Sequence, residues 1–88
     1  MRRRKYTGPA VETFNSNVPV GTQVRYYSVL PADEDDFFES FTRTPAWDAH
    51  GITVVMIEGR SGYVDAGHLM VRNPAQPVPG LVGWWNDR

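Results

Sequence analysis

A chain of 88 residues fits a single domain, and at this size folding buries only about 60–65% of the surface the unfolded chain exposes, so the core is thin. Hydrophobic residues at 41% and charged residues at 22% are ordinary for a folded globular protein and exclude wholesale disorder. There is no cysteine, which excludes a disulfide framework and a thiolate zinc site.

The start Met1-Arg2-Arg3-Arg4-Lys5 has the charge of a signal-peptide leader but lacks the apolar run that would follow it, and no stretch of about 18 apolar residues exists to span a membrane. The expectation is a cytoplasmic protein without a membrane contact. Net charge is −1, but the charges are sorted along the chain: basic at Arg2, Arg3, Arg4 and Lys5, acidic at Asp33, Glu34, Asp35, Asp36 and Glu39. The two segments either attract each other or face different partners.

Residues 1–17 carry scattered Thr, Gly, Pro and Asn without a sustained period and read as a flexible basic arm. Residues 20–30 are rich in β-branched and aromatic side chains, with Val20, Thr22, Val24 and Tyr26 on one face, and predict the first strand. Pro31 ends it, and the acidic run that follows predicts a solvated, mobile loop. Residues 37–44 alternate as a half-buried strand of uncertain register, closed by Pro45. Trp47 then stands just before a turn at residues 48–51 as a large buried or groove-lining aromatic.

Residues 52–57 are apolar on both faces and predict a central strand; Glu58-Gly59-Arg60-Ser61-Gly62 supplies a hairpin turn, and residues 63–66 return beside it. Residues 73–80 contain Pro74, Pro77 and Pro79 and predict polyproline II or coil, leading to Trp84-Trp85. No helical period is sustained. The expected organisation is an arm over 1–17, an all-β domain of four to five short antiparallel strands over 18–72, and a proline-rich tail over 73–88.

The order Trp47, strand, glycine turn, Gly62-Tyr63-Val64 and then Asp65-Ala66-Gly67-His68-Leu69 resembles the closing half of bacterial Src-homology-3-like domains. Val20-Gly21-Thr22-Gln23-Val24 is similar to the opening of an early strand in that family. The resemblance covers roughly half the chain and implies a small SH3-like barrel. Eukaryotic members bind proline-rich peptides through clustered aromatics, a part that Tyr26, Tyr27, Trp47 and Tyr63 would take here. Asp65 and His68 stand where those domains carry Pro and Tyr, a departure from the polyproline-binding pattern. The small size and basic start also resemble accessory proteins of temperate bacteriophages, which implies binding to a host protein or defence component inside the host cell.

Catalytic and metal signatures are weak. Asp48 with His50 and Asp65 with His68 form two Asp/His couples, read first as turn-capping pairs. No serine sits in a nucleophile elbow, and Gly59 with Gly62 lacks the lysine and helix of a phosphate loop, although Arg60 beside that turn suits an anion. No enzyme and no cofactor are expected. The leading reading is a binding module that contacts a protein through Tyr27, Trp47 and Tyr63. A second reading is an oligomeric sponge that stacks a nucleotide between aromatics and Arg25, Arg43 or Arg60. A third is weak nucleic-acid binding by Arg2, Arg3, Arg4 and Lys5. Trp84 and Trp85 either fold back on the domain's own core or dock on a second copy.

Overall fold

In the computed structural model, which describes residues 7–33 and 35–87, the apolar alternation of the middle of the chain becomes two packed sheets. β1 (Gln23–Tyr26) lies between β2 (Phe38–Phe41) and β6 (Leu69–Arg72), antiparallel to both, and β7 (Gly83–Trp85) extends the sheet parallel to β6. The second sheet holds β3 (Trp47–Ala49), β4 (Ile52–Val55) and β5 (Val64–Asp65), with β4 central as its two apolar faces require. A 3-10 turn, Ala66–His68, carries the chain from β5 into β6. A backbone bridge between Thr42 and Ile57 ties the sheets together, but the described strands do not close into a barrel.

Residues directly opposite in a ladder share a face, so the register sorts the side chains. Val24 lies opposite Ser40 and Val71, and Tyr26 opposite Phe38 and Leu69, on the side facing the second sheet. Arg25, opposite Glu39 and Met70, points to the other side. Phe14, Val24, Val55, Ile57, Leu69, Val71 and Val78 form the centre of the core. Burial of each contributes about 1.5–3 kcal/mol of transfer free energy, so a core this small depends on every member.

Buried hydroxyls stitch the loops to it. Thr42 Oγ1 accepts from the Gly21 and Thr22 amides at 3.0 and 3.2 Å and donates to the Pro19 carbonyl at 3.2 Å. Ser40 Oγ donates to the Glu58 carbonyl and Thr53 Oγ1 to that of Pro9, each at 2.6 Å.

Three expectations are corrected. The arm expected over 1–17 is packed from Pro9 onward: Val11–Asn17 is a helix, α1, whose Phe14 is buried, and Asn15 clamps the Ala46 backbone with its amide oxygen and nitrogen at 2.8 and 3.0 Å. A helix this short is marginal alone, and the burial of Phe14 holds it. The proline-rich tail is not a loose end, since Val78 is buried in the core and β7 joins the sheet. The first strand stops at Tyr26 instead of reaching Leu30: the Tyr27 amide still bonds the His68 carbonyl at 3.0 Å in register with β6, and the chain then leaves the sheet.

The β3–β4 turn is tighter than expected. Only His50 and Gly51 lie between paired residues Ala49 and Ile52, and their φ angles of 57° and 85° suit a two-residue hairpin. Trp47 is therefore a strand residue.

Candidate functional site

The residues that sequence reasoning selected separate into four places. Tyr27, expected on a binding surface, is 1% exposed and packs against Phe37 at 5.6 Å between ring centroids, which corrects its assignment. Its side chain lies on the Arg25 side of the sheet, where the end of the β1–β2 loop covers it. Trp47 and Tyr63, by contrast, remain 37% and 53% exposed and meet edge-on at 5.7 Å. Trp47, Val54 and Asp65 form one row across β3, β4 and β5, so this aromatic pair sits on the outer face of the second sheet.

The three arginines do not converge. Arg25 lies between the rings of Phe37 and Trp85, with Cζ 4.8 and 4.5 Å from their centroids. Arg43 donates through Nε to the Ile57 carbonyl at 3.3 Å. Arg60 stands 4.9 Å above the Tyr26 ring and 5.8 Å from that of Phe38. Of the terminal tryptophans, Trp85 docks on the chain's own sheet and Trp84 stays exposed beside it. Arg2, Arg3, Arg4, Lys5 and Glu34 lie outside the described residues.

What sequence reasoning missed is a cleft of about 530 Å³ between three segments distant in the chain. Leu30, Pro31 and Ala32 of the β1–β2 loop form one wall, Gly80, Leu81 and Val82 of the tail another, and Asp65, Gly67 and His68 line it from the 3-10 turn. Thr7 and Gly8 complete it. A signal for it was present: Asp65 and His68 stood out as a couple, but nothing local tied them to Leu81 or Leu30.

The couple is well positioned. Asp65 caps the 3-10 turn, its Oδ1 accepting from the Gly67 amide at 2.8 Å. His68 Nδ1 lies 2.7 Å from the Tyr27 carbonyl, which can only accept, so Nδ1 carries the proton. That leaves Nε2 as an acceptor in the neutral ring, 3.9 Å from Asp65 Oδ2, while the ring stacks on Tyr26 at 6.1 Å. Among the described residues, no lysine or arginine lines the cleft, and Asp33, Asp35 and Asp36 continue the loop that forms its wall. The described lining combines apolar walls with the Asp65 carboxylate and the His68 ring.

No group of three or more potential metal ligands occurs among the described residues, and none of their helices is long and apolar enough to cross a membrane. His50, of the other Asp/His couple, is a turn residue. No protein family model, curated protein or solved structure matches this chain.

Proposed function

We propose that this chain is a non-enzymatic binding module of SH3-like build, whose cleft takes an extended segment of a partner protein that carries a basic side chain. The supporting observation is the composition of the cleft: Leu30, Pro31, Leu81 and Val82 offer apolar contact, and Asp65 and His68 Nε2 supply acceptor atoms. A nucleotide would bring its phosphates towards the Asp65 carboxylate, and like charges repel. A lysine or arginine flanked by apolar residues matches both the charge and the walls.

The SH3-like reading is supported by element order, with a long loop after β1, a 3-10 turn before β6, and β6 pairing back on β1. Trp47 and Tyr63 extend the surface, because Asp65 belongs both to the cleft and to their side of the second sheet. Exposed Trp and Tyr are the side chains that most often anchor protein contacts. The resemblance to phage accessory proteins makes a host protein the partner to test first.

The test is fluorescence anisotropy with labelled eight-residue peptides of Leu, Pro and Gly that carry either one arginine or one citrulline. The arginine peptide binds about fivefold more tightly at low salt, as a half-exposed charge pair allows. Asp65→Asn, which keeps the capping oxygen, removes that preference. Equal affinity for both peptides, or binding of a dinucleotide and neither peptide, refutes the proposal.

A further inference from the structure

Arg25 is held in an unusual way for an arginine on a sheet surface. Its neighbour across the ladder is Glu39, yet its guanidinium lies between two aromatic rings, and its buried Nε has no hydrogen-bond partner among the described residues. A buried, unpaired N–H is costly, and the attraction of a guanidinium to the faces of aromatic rings works against that cost. The side chain crosses β6 to reach Trp85 on β7; Met70 lies beneath it, between Arg25 and Gly83 in the register.

The two rings belong to the segments that wall the cleft. Phe37 ends the loop that includes Leu30, Pro31 and Ala32, and it also covers Tyr27, whose carbonyl orients His68. Trp85 ends β7, which begins at Gly83 directly after Gly80, Leu81 and Val82. The tail is tied to β6 by Val82 N–H to the Leu69 carbonyl at 2.9 Å, and Asn73 N–H donates to that of Trp85 at 2.7 Å; within the loop, Asp36 N–H donates to the Asp33 carbonyl at 2.9 Å.

We infer that Arg25 is a positioning residue that clasps the two walls of the cleft together, so that loop placement and docking of β7 change as one unit. The coupling stands on the ring contacts alone; its effect on ligand affinity rests on the cleft being the binding site. A guanidinium suits the role because its flat face stacks on both rings, whereas a lysine ammonium is a compact, strongly hydrated charge that does not stack.

Reciprocity makes the clasp testable by amide hydrogen exchange of the full chain under native conditions. Phe37→Leu removes the ring on the loop side, and the Asn73 and Val82 amides of the tail should exchange about threefold to tenfold faster. Trp85→Leu alters only the tail side, yet the Asp36 amide should exchange faster by a similar factor. In an Arg25→Met background each cross-effect should vanish, while amides between β1 and β6 keep their protection and report an intact fold. Arg25→Lys should behave like Arg25→Met in this respect. The inference is overturned if each ring substitution affects only its own segment, or if the cross-effects persist without Arg25.

The peptide titration separates the two readings. Cross-effects together with no binding of the arginine peptide would retain the clasp and sink the binding site. Binding without cross-effects would do the reverse. With both intact, Arg25→Met should weaken the arginine peptide severalfold although Arg25 does not line the cleft.

Discussion

Replacing Gly80 by alanine tests how closely the two ends of the described chain approach. Gly80 has φ of +98°, and a Cβ built there would lie 2.4 Å from the Gly8 carbonyl carbon, 2.5 Å from the Pro9 nitrogen and 2.7 Å from the Gly8 oxygen. All three are backbone atoms, so no side chain can rotate away. Relief requires one segment to move by about 1 Å, which loosens Val78 in the core or the Thr53 hydroxyl's bond to the Pro9 carbonyl. Gly21 is the natural control: its φ is +97°, but nothing lies within 4 Å of the position a Cβ would take. Gly21→Ala should cost about 1 kcal/mol, from backbone conformation alone. Gly80→Ala should cost about 3–4 kcal/mol, the overpacking being added to the same conformational term. For a domain of this size, each kcal/mol lowers Tm by about 4–8 °C, so thermal unfolding followed by circular dichroism should separate the two variants by about 10–20 °C. If they melt together, the crossing of Gly8 and Gly80 is not the tight contact described.

Further outcomes follow from the core and the surface. Thr42→Val keeps the shape but removes the side-chain acceptor of the Gly21 and Thr22 amides, which keep the Thr42 and Pro19 carbonyls as partners, and urea unfolding should show a loss of about 0.5–1.5 kcal/mol. Tyr27→Ala should destabilise by about 3–5 kcal/mol in the same assay, whereas Trp47→Ala and Tyr63→Ala should each cost less than Tyr27→Ala and act mainly on partner binding. Asp87 is held below the ordinary carboxylate range chiefly by its hydrogen bond from Arg72 Nε at 2.7 Å. Because the folded value is the lower one, its contribution to tail docking is full above the ordinary aspartate range and is lost as pH falls through that range and below it. Amide exchange of Asn73, corrected for intrinsic pH dependence, should show that loss, and Asp87→Asn should abolish the pH dependence.

The parts of the fold that were legible are those whose instructions are local. Residues 52–57 are apolar on both faces with Gly59 and Gly62 following, both at positive φ, and strand β4 forms over the first four of them with the glycine turn after it. Helix α1 was not legible because Val11, Phe14 and Val18 repeat over barely two turns, too few to stand out from a loop. Tyr27 was misplaced for a different reason. Alternation assigns its face correctly, but that face is covered by Phe37 from across a long loop, and periodicity carries no information about cover. The tail was read from its prolines, which describe residues 74–79 adequately and conceal the parallel pairing of Gly83, Trp84 and Trp85 with β6. The candidate site repeats the pattern: Asp65 and His68 were visible three residues apart, while Gly8, Leu30 and Leu81 reach the cleft only through tertiary structure.

The crossing of Gly8 and Gly80 has a consequence for biosynthesis. Pro9 and Phe14 come early from the ribosome, but the surface they settle on is finished only when Val78 and the segment around Gly80 arrive. Contacts between residues so far apart in sequence are slow to form, because the intervening chain must be ordered before they give any return. Until then Val24, Leu69 and Val71 lack the valine that closes over them, and a chain stalled before that point presents a row of apolar side chains to the cell. Folding of this domain thus waits until the segment around Val78 and Gly80 has emerged, and chains cut before Val78 should accumulate as aggregates or be degraded, not persist as smaller stable domains.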